Sequence, residues 1–128
     1  MASVDKHLKN TNFLESLNTA CQGIVFAFCH ERNLRFHAVA MGLVFALAGR
    51  LSFSSLEWVI LVLTVSQVIV AEMVNSALEY LTDLTVGNQW HPIAKRVKDV
   101  AAGAVLITAL AAVLIGGLLF LPKLINLF

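Results

Sequence analysis

The sequence predicts an all-α integral membrane protein, with three transmembrane helices behind an N-terminal amphipathic surface helix. Three observations predict it. The chain of 128 residues is 59% hydrophobic and 13% charged, with a mean hydropathy of +0.81; soluble domains lie nearer half apolar and a quarter charged. Its apolar residues gather into three runs, each on the scale of the roughly 20 residues that cross a bilayer. Ahead of them, residues 11–30 carry apolar side chains at helical spacing with polar ones on other faces.

Residues 1–10 read as a frayed, solvated end, and their polar start argues against a cleavable signal peptide. From 11 to 30, Phe13, Leu14, Leu17, Cys21, Ile24 and Phe28 recur at helical spacing, with Glu15, Ser16, Asn18, Thr19 and Gln22 mostly elsewhere. Such a helix lies in the membrane interface. Cys21 and Cys29 form no CxxC pair and read as small buried apolar residues.

The segment HERNLRFH, 30–37, reads as a charged break before the apolar run 38–49. The first span is expected at about 34–51, with Arg35 and Arg50 snorkelling at its ends. A turn at 52–55 follows, and Trp58 stands as an interfacial anchor. The second span runs over about 57–84, and TVGNQWHPIAKR, 85–96, is a polar loop. Within it Gly87 and Asn88 suit a helix stop and Pro92 a helix first turn. The third span covers about 97–121, with Pro122 helping to end it. Its small residues AAGA, 101–104, let another helix approach closely.

The chain reads as one domain, 1–128, without repeats or linkers, and a formal net charge of +1 points to no nucleic-acid partner. Lys6, Lys9, Arg32 and Arg35 precede the first span, and Lys95, Arg96 and Lys98 lie between the second and third. Only Arg50 and Lys123 remain for the other side, so the N-terminus and the 85–98 loop are expected in the cytoplasm.

The chemistry concentrates in EMVNSALEYLTD, 72–83. At about 100° per residue, Glu72, Asn75, Glu79 and Asp83 fall within an arc of roughly 80° on one helix face. An ionised side chain at the centre of a span costs about 2.5–3.5 kcal/mol on insertion scales. A bound cation, a basic neighbour or protonation must offset three such carboxyls. Glu31, ahead of the first span, and Lys98 and Asp99, opening the third, are expected at the same face. Carboxylates with an amide oxygen suit Mg²⁺, whose shell substrate phosphates complete. A lysine nearby can hold a moving phosphoryl group, and a buried glutamate can take a proton from an alcohol. These are the parts of phosphoryl transfer from ATP to a hydroxyl. On spacing alone the stripe also fits an ion pathway or proton relay. Asp83 alone also reads as a solvated interfacial group, Lys98 as a positive-inside anchor and Asp99 as a helix N-terminal charge. No GxxxxGK[ST] loop occurs, so a nucleotide site must come from side chains and helix ends.

ExxNxALE at 72–79 with Asp83, then AKRVKDVAAGAVL at 94–106, resembles the prokaryotic diacylglycerol kinase family, and ERNLRFH at 31–37 is similar to its undecaprenol kinase branch. The resemblance covers about residues 22–106. It implies a three-span homotrimer and a Mg²⁺- and ATP-dependent lipid kinase of the bacterial cell membrane. It implies that Glu72 is the catalytic base and that Glu31 and Glu79 bind the metal. Gln89, Trp90, His91, Lys98 and Asp99, together with Glu31 and Glu79, would contact the nucleotide. Asn75 and Asp83 would support the site, and Asn33, Leu34, Arg35, Phe36, His37 and Ala102 would touch the lipid, as would Glu72. Where family members often carry basic or aromatic residues on the surface helix, this chain has Asn12, Asn18 and Thr19. The expected acceptor is undecaprenol, with diacylglycerol as the rival. A proton- or ion-coupled transporter using Glu72 and Glu79 is the rival of another class.

Overall fold

The computed structural model describes residues 12–128; the expected frayed end, its Lys6 and Lys9 and the first residue of the surface helix lie outside them. Among the described residues there are four helices and no strands: α1 (Phe13–His30), α2 (Arg32–Arg50), α3 (Ser55–Val86) and α4 (Pro92–Ile125). The boundaries follow from local chemistry. Asn12 caps α1, its side-chain oxygen accepting from the Glu15 N–H at 2.8 Å. Ser54 and Glu57 form a capping box that starts α3: the Ser54 hydroxyl oxygen accepts from the Glu57 N–H at 3.3 Å, and the Glu57 carboxylate accepts from the Ser54 N–H at 2.7 Å. Gly87 ends α3 in the left-handed region (φ 58°), where a residue without Cβ meets no steric penalty. Pro92 opens α4, where its missing N–H costs nothing.

Three features differ from expectation. The segment 30–37 is not a broad break. Only Glu31 leaves the helical conformation (φ −93°, ψ 116°), and α2 begins at Arg32. The reason is local: the Arg35 guanidinium donates to the Cys29 carbonyl at 2.6 Å, so a cation satisfies the α1 C-terminus and ties the two helices together. Arg35 is exposed and at the same time engaged by the chain. Pro122 does not end the third span; α4 continues to Ile125. A proline there removes one backbone bond near a helix end, and the Asn126 N–H still reaches the Pro122 carbonyl at 3.2 Å. Cys21 and Cys29, expected to be buried, are exposed, because nothing among the described residues covers that part of α1.

The most extensive packing joins α3 to α4, with smaller contacts of α3 with α2 and of α2 with α1. At one end Ala48, Phe53 and Leu61 form a buried cluster with Trp58, Phe45 and Phe120 around it. Phe53 and Phe120 meet at a tilt with 4.8 Å between centroids, and Trp58 packs on Phe45 at 5.9 Å. Lys123 pairs with Glu57 at 3.0 Å and lies over the Phe53 ring at 5.2 Å. The α2–α3 turn is therefore fastened to the last turns of α4.

By length and composition α3 and α4 can each cross a membrane; α2, which carries Arg32, Arg35 and Arg50 in 19 residues, is less apolar. None of the most apolar 18-residue stretch of α4 is buried by the described residues. Leu110, Val113, Leu114 and Leu118 all face outward, which a core helix in water would not sustain. Of the small-residue run 101–104, only Ala101 is buried within the chain.

Candidate functional site

The site lies at the end opposite the aromatic cluster, where α3 meets the α1–α2 junction and the start of α4. Helical periodicity puts Glu72, Asn75, Glu79 and Asp83 on one face of α3. Packing then gives each a different environment.

Glu72 is 4% exposed, and its Oε1 lies 3.2 Å from Nε2 of His37 on α2. His37 was expected at the lipid; the structure places it on the glutamate. One turn further on, the Asn75 side-chain N–H donates to Glu79 Oε1 at 3.0 Å. The other atom of that amide, Oδ1, is buried without a hydrogen-bond partner among the described residues. A buried oxygen in that condition costs about 1–3 kcal/mol unless something meets it. Glu31, the residue between α1 and α2, accepts at Oε1 from the Tyr80 hydroxyl at 2.5 Å. Tyr80 follows Glu79 directly in the chain, so this bond ties the α1–α2 junction to the acidic part of α3.

Beyond them, Lys98 reaches from α4 to Asp83 Oδ1 at 2.5 Å. Asp99 is paired within α4 to Lys95, also at 2.5 Å. Gln89, Trp90 and His91 form the loop between α3 and α4, and the His91 Nδ1 caps α4 by accepting from the Ile93 N–H at 3.2 Å. Gln89, Trp90, His91, Asp83, Lys98 and Asp99 all line one cleft of about 530 Å³. The Trp90 ring, 78% exposed, stands at this cleft without a partner ring from the described residues.

The lipid candidates divide. Leu34 is completely buried and offers a ligand no surface. Phe36 is 70% exposed, and Asn33 and Ala102 are exposed as well. Arg35 is engaged with Cys29, as above. Sequence reasoning missed Tyr80 and Lys95. Tyr80 lies about 100° around the helix from Glu79 and so off the acidic face, and nothing in local spacing links it to a residue 49 positions away. Lys95 has a local signal: it stands four residues before Asp99 on one helix face.

Among the described residues no group of three or more His, Cys, Asp or Glu side chains converges as a metal site. The donor chemistry nevertheless fits Mg²⁺. Glu31 and Glu79 each have one oxygen engaged and a second not so engaged, and the Asn75 Oδ1 beside Glu79 lacks a partner. Mg²⁺ commonly takes only one or two carboxylates from a protein and completes its octahedron with phosphates and water.

Comparison with known proteins identifies the family. Residues 18–120 match the family described as prokaryotic diacylglycerol kinase. A diacylglycerol kinase of Synechocystis sp. is 43% identical over 116 residues, 91% of this chain and 66% of that protein. An undecaprenol kinase of Bacillus subtilis is 38% identical over 124 residues, 97% of this chain and 100% of that protein. The diacylglycerol kinase of Escherichia coli K12 is 30% identical over 81% of this chain and 84% of its own length. The chain therefore belongs to the prokaryotic diacylglycerol kinase family of lipid kinases.

Proposed function

We propose that this protein transfers the γ-phosphoryl group of ATP to the hydroxyl of a membrane lipid alcohol, undecaprenol in the first place, with Glu72 as the base. The observation that carries the reading is a nearly buried glutamate, on a helix long enough to cross a bilayer, one turn from an amide–carboxylate pair whose free oxygen lacks a partner.

Geometry supports the placement. At 1.5 Å per residue, the 32 residues of α3 span about 48 Å, well beyond a hydrocarbon core of about 30 Å. With Ser55 at the far interface, Glu72 lies about 26 Å along the axis, just inside the near boundary, and Glu79 and Asp83 lie past it. A lipid hydroxyl at the head-group level meets Glu72, and a water-soluble nucleotide meets the rest. The basic residues of 32–35 and 95–98 support a cytoplasmic side for that boundary.

Glu72 takes the alcohol proton while the alcohol oxygen bonds to the γ-phosphorus and the β–γ bridging bond breaks, releasing ADP. Glu31 and Glu79, with the Asn75 oxygen, would hold Mg²⁺, which when bound neutralises phosphate charge. Lys98, steadied by Asp83, attracts the phosphates; Trp90 offers a flat face to the base; Gln89, His91 and Asp99 line the same cleft. Asn33, Phe36 and Ala102 remain available to the lipid. The protein works as a homotrimer with three spans per chain, supported by the uncovered apolar faces of α3 and α4. Undecaprenol is favoured over diacylglycerol by the full-length match to the Bacillus protein; the identity to the Synechocystis protein favours diacylglycerol as the second reading.

Purified protein in detergent, given labelled ATP, Mg²⁺ and undecaprenol or diacylglycerol, tests it. Faster phosphorylation of undecaprenol is the expected result. Label entering diacylglycerol alone would move the reading to the second acceptor, and label entering neither lipid would remove it.

A further inference from the structure

We infer that His37 is a positioning residue for the base: its imidazole grips one oxygen of Glu72 and leaves the other to receive the lipid's proton. The inference rests on Glu72 acting as base, as proposed above.

Nε2 of His37 meets Oε1 of Glu72 at 3.2 Å across the α2–α3 contact. A glutamate acting as base has no proton to give, so in that role the hydrogen of this bond sits on Nε2. Oε1 is then committed, and Oε2 is the atom left to act. Three torsions separate a glutamate carboxylate from its backbone, and water does little to orient a group only 4% exposed. A rigid ring on the neighbouring helix supplies the missing constraint. Both residues lie within helices, so backbone geometry fixes the spacing between their anchoring atoms.

The same imidazole lines a second space. An apolar cleft of about 330 Å³ runs between α2, α3 and α4, with His37, Ala40, Val68, Ala109, Ala112 and Gly116 in its walls. His37 is the one basic residue among the described residues that line it, and it marks the end of the cleft nearest Glu72. A hydrocarbon chain lying there carries its hydroxyl head to the imidazole, beside the carboxylate that the imidazole aims. In the transfer step the alcohol O–H proton passes to Oε2, the alcohol oxygen bonds to phosphorus, and the β–γ bridging oxygen leaves with ADP. His37 keeps its hydrogen throughout.

The test compares wild type, His37→Phe, His37→Gln and Glu72→Gln with undecaprenol and saturating Mg-ATP in mixed micelles. Turnover, KM for undecaprenol, ATP binding and thermal unfolding are read on each. His37→Phe keeps a ring without the donor and is expected to lose about 100-fold in kcat, the scale of a misplaced reacting group, with KM changed by less than about threefold. His37→Gln puts an amide N–H near the position of Nε2 and is expected to recover kcat to within about fivefold of wild type. Should the phenylalanine variant not fold, His37→Asn, whose amide is too short to reach Oε1, takes its place with the same expected loss. Two results overturn the positioning role: a folded donor-less variant with wild-type kcat while Glu72→Gln is inactive, or a glutamine variant as slow as the donor-less one when both bind ATP normally. A near-normal Glu72→Gln instead removes the base reading beneath it, which is a separate outcome.

Discussion

Replacing Asn75 with leucine separates the two things its side chain does. The amide N–H holds Glu79 at 3.0 Å, and the amide oxygen is buried without a partner. Losing a hydrogen bond to a charged group costs about 1.5–3 kcal/mol, while removing an unsatisfied buried oxygen returns about 1–3 kcal/mol. The two nearly cancel, so the ligand-free protein should change in stability by less than about 1 kcal/mol. Metal binding has no such compensation. Glu79 loses the group that orients it and the site loses an oxygen donor, so half-saturating Mg²⁺ should rise about 10–100-fold, the usual scale for a supporting ligand shell. The assay pairs thermal unfolding in detergent without nucleotide with a Mg²⁺ titration of lipid phosphorylation at saturating ATP. A loss of more than about 2 kcal/mol with an unchanged titration would refute the reasoning. Asn75 would then be a structural residue, its oxygen met by some other partner.

Three further outcomes are expected. Lys98→Met should raise KM for ATP about tenfold with little change in KM for lipid; that is the low end for a charge-assisted contact, because Lys98 is 39% exposed. Tyr80→Phe should raise half-saturating Mg²⁺ by up to about tenfold while kcat at saturating Mg²⁺ holds, since only the orientation of Glu31 is lost; a titration equal to wild type would show that bond to be incidental. Phe53→Ala should lower the unfolding temperature and leave the activity of the folded fraction intact. Its cost should fall below the about 3–5 kcal/mol of a water-soluble core, because a detergent-embedded reference state is already apolar.

Features set by neighbouring residues were legible in the sequence. The stop at Gly87, the start at Pro92 and the acidic face of α3 follow from backbone sterics and a 3.6-residue period, and each is present. Features set by tertiary contact were not. The run 30–37 reads as a charged break because its charges are visible and the Arg35–Cys29 bond that absorbs one of them is not. Leu34 reads as lipid-facing by position, yet packing against its own chain buries it. The partners of Glu31 and Glu72 lie 49 and 35 residues away, on helices whose rotation no local pattern specifies. His37 was therefore visible as a candidate residue but not as the partner of Glu72. The cleft holding Gln89, Trp90, His91, Lys98 and Asp99 was easier to anticipate, because those residues flank one tight turn between two helices.

The most direct measurement is turnover by Glu72→Gln, with ATP binding followed on the same sample. The amide keeps the size of the carboxylate and can still meet His37, yet it cannot accept the alcohol proton. We expect nucleotide binding equal to wild type and lipid phosphorylation lower by about 10²–10⁴-fold, the range of a lost general base. Phosphorylation of undecaprenol at the wild-type rate by this variant would contradict the account.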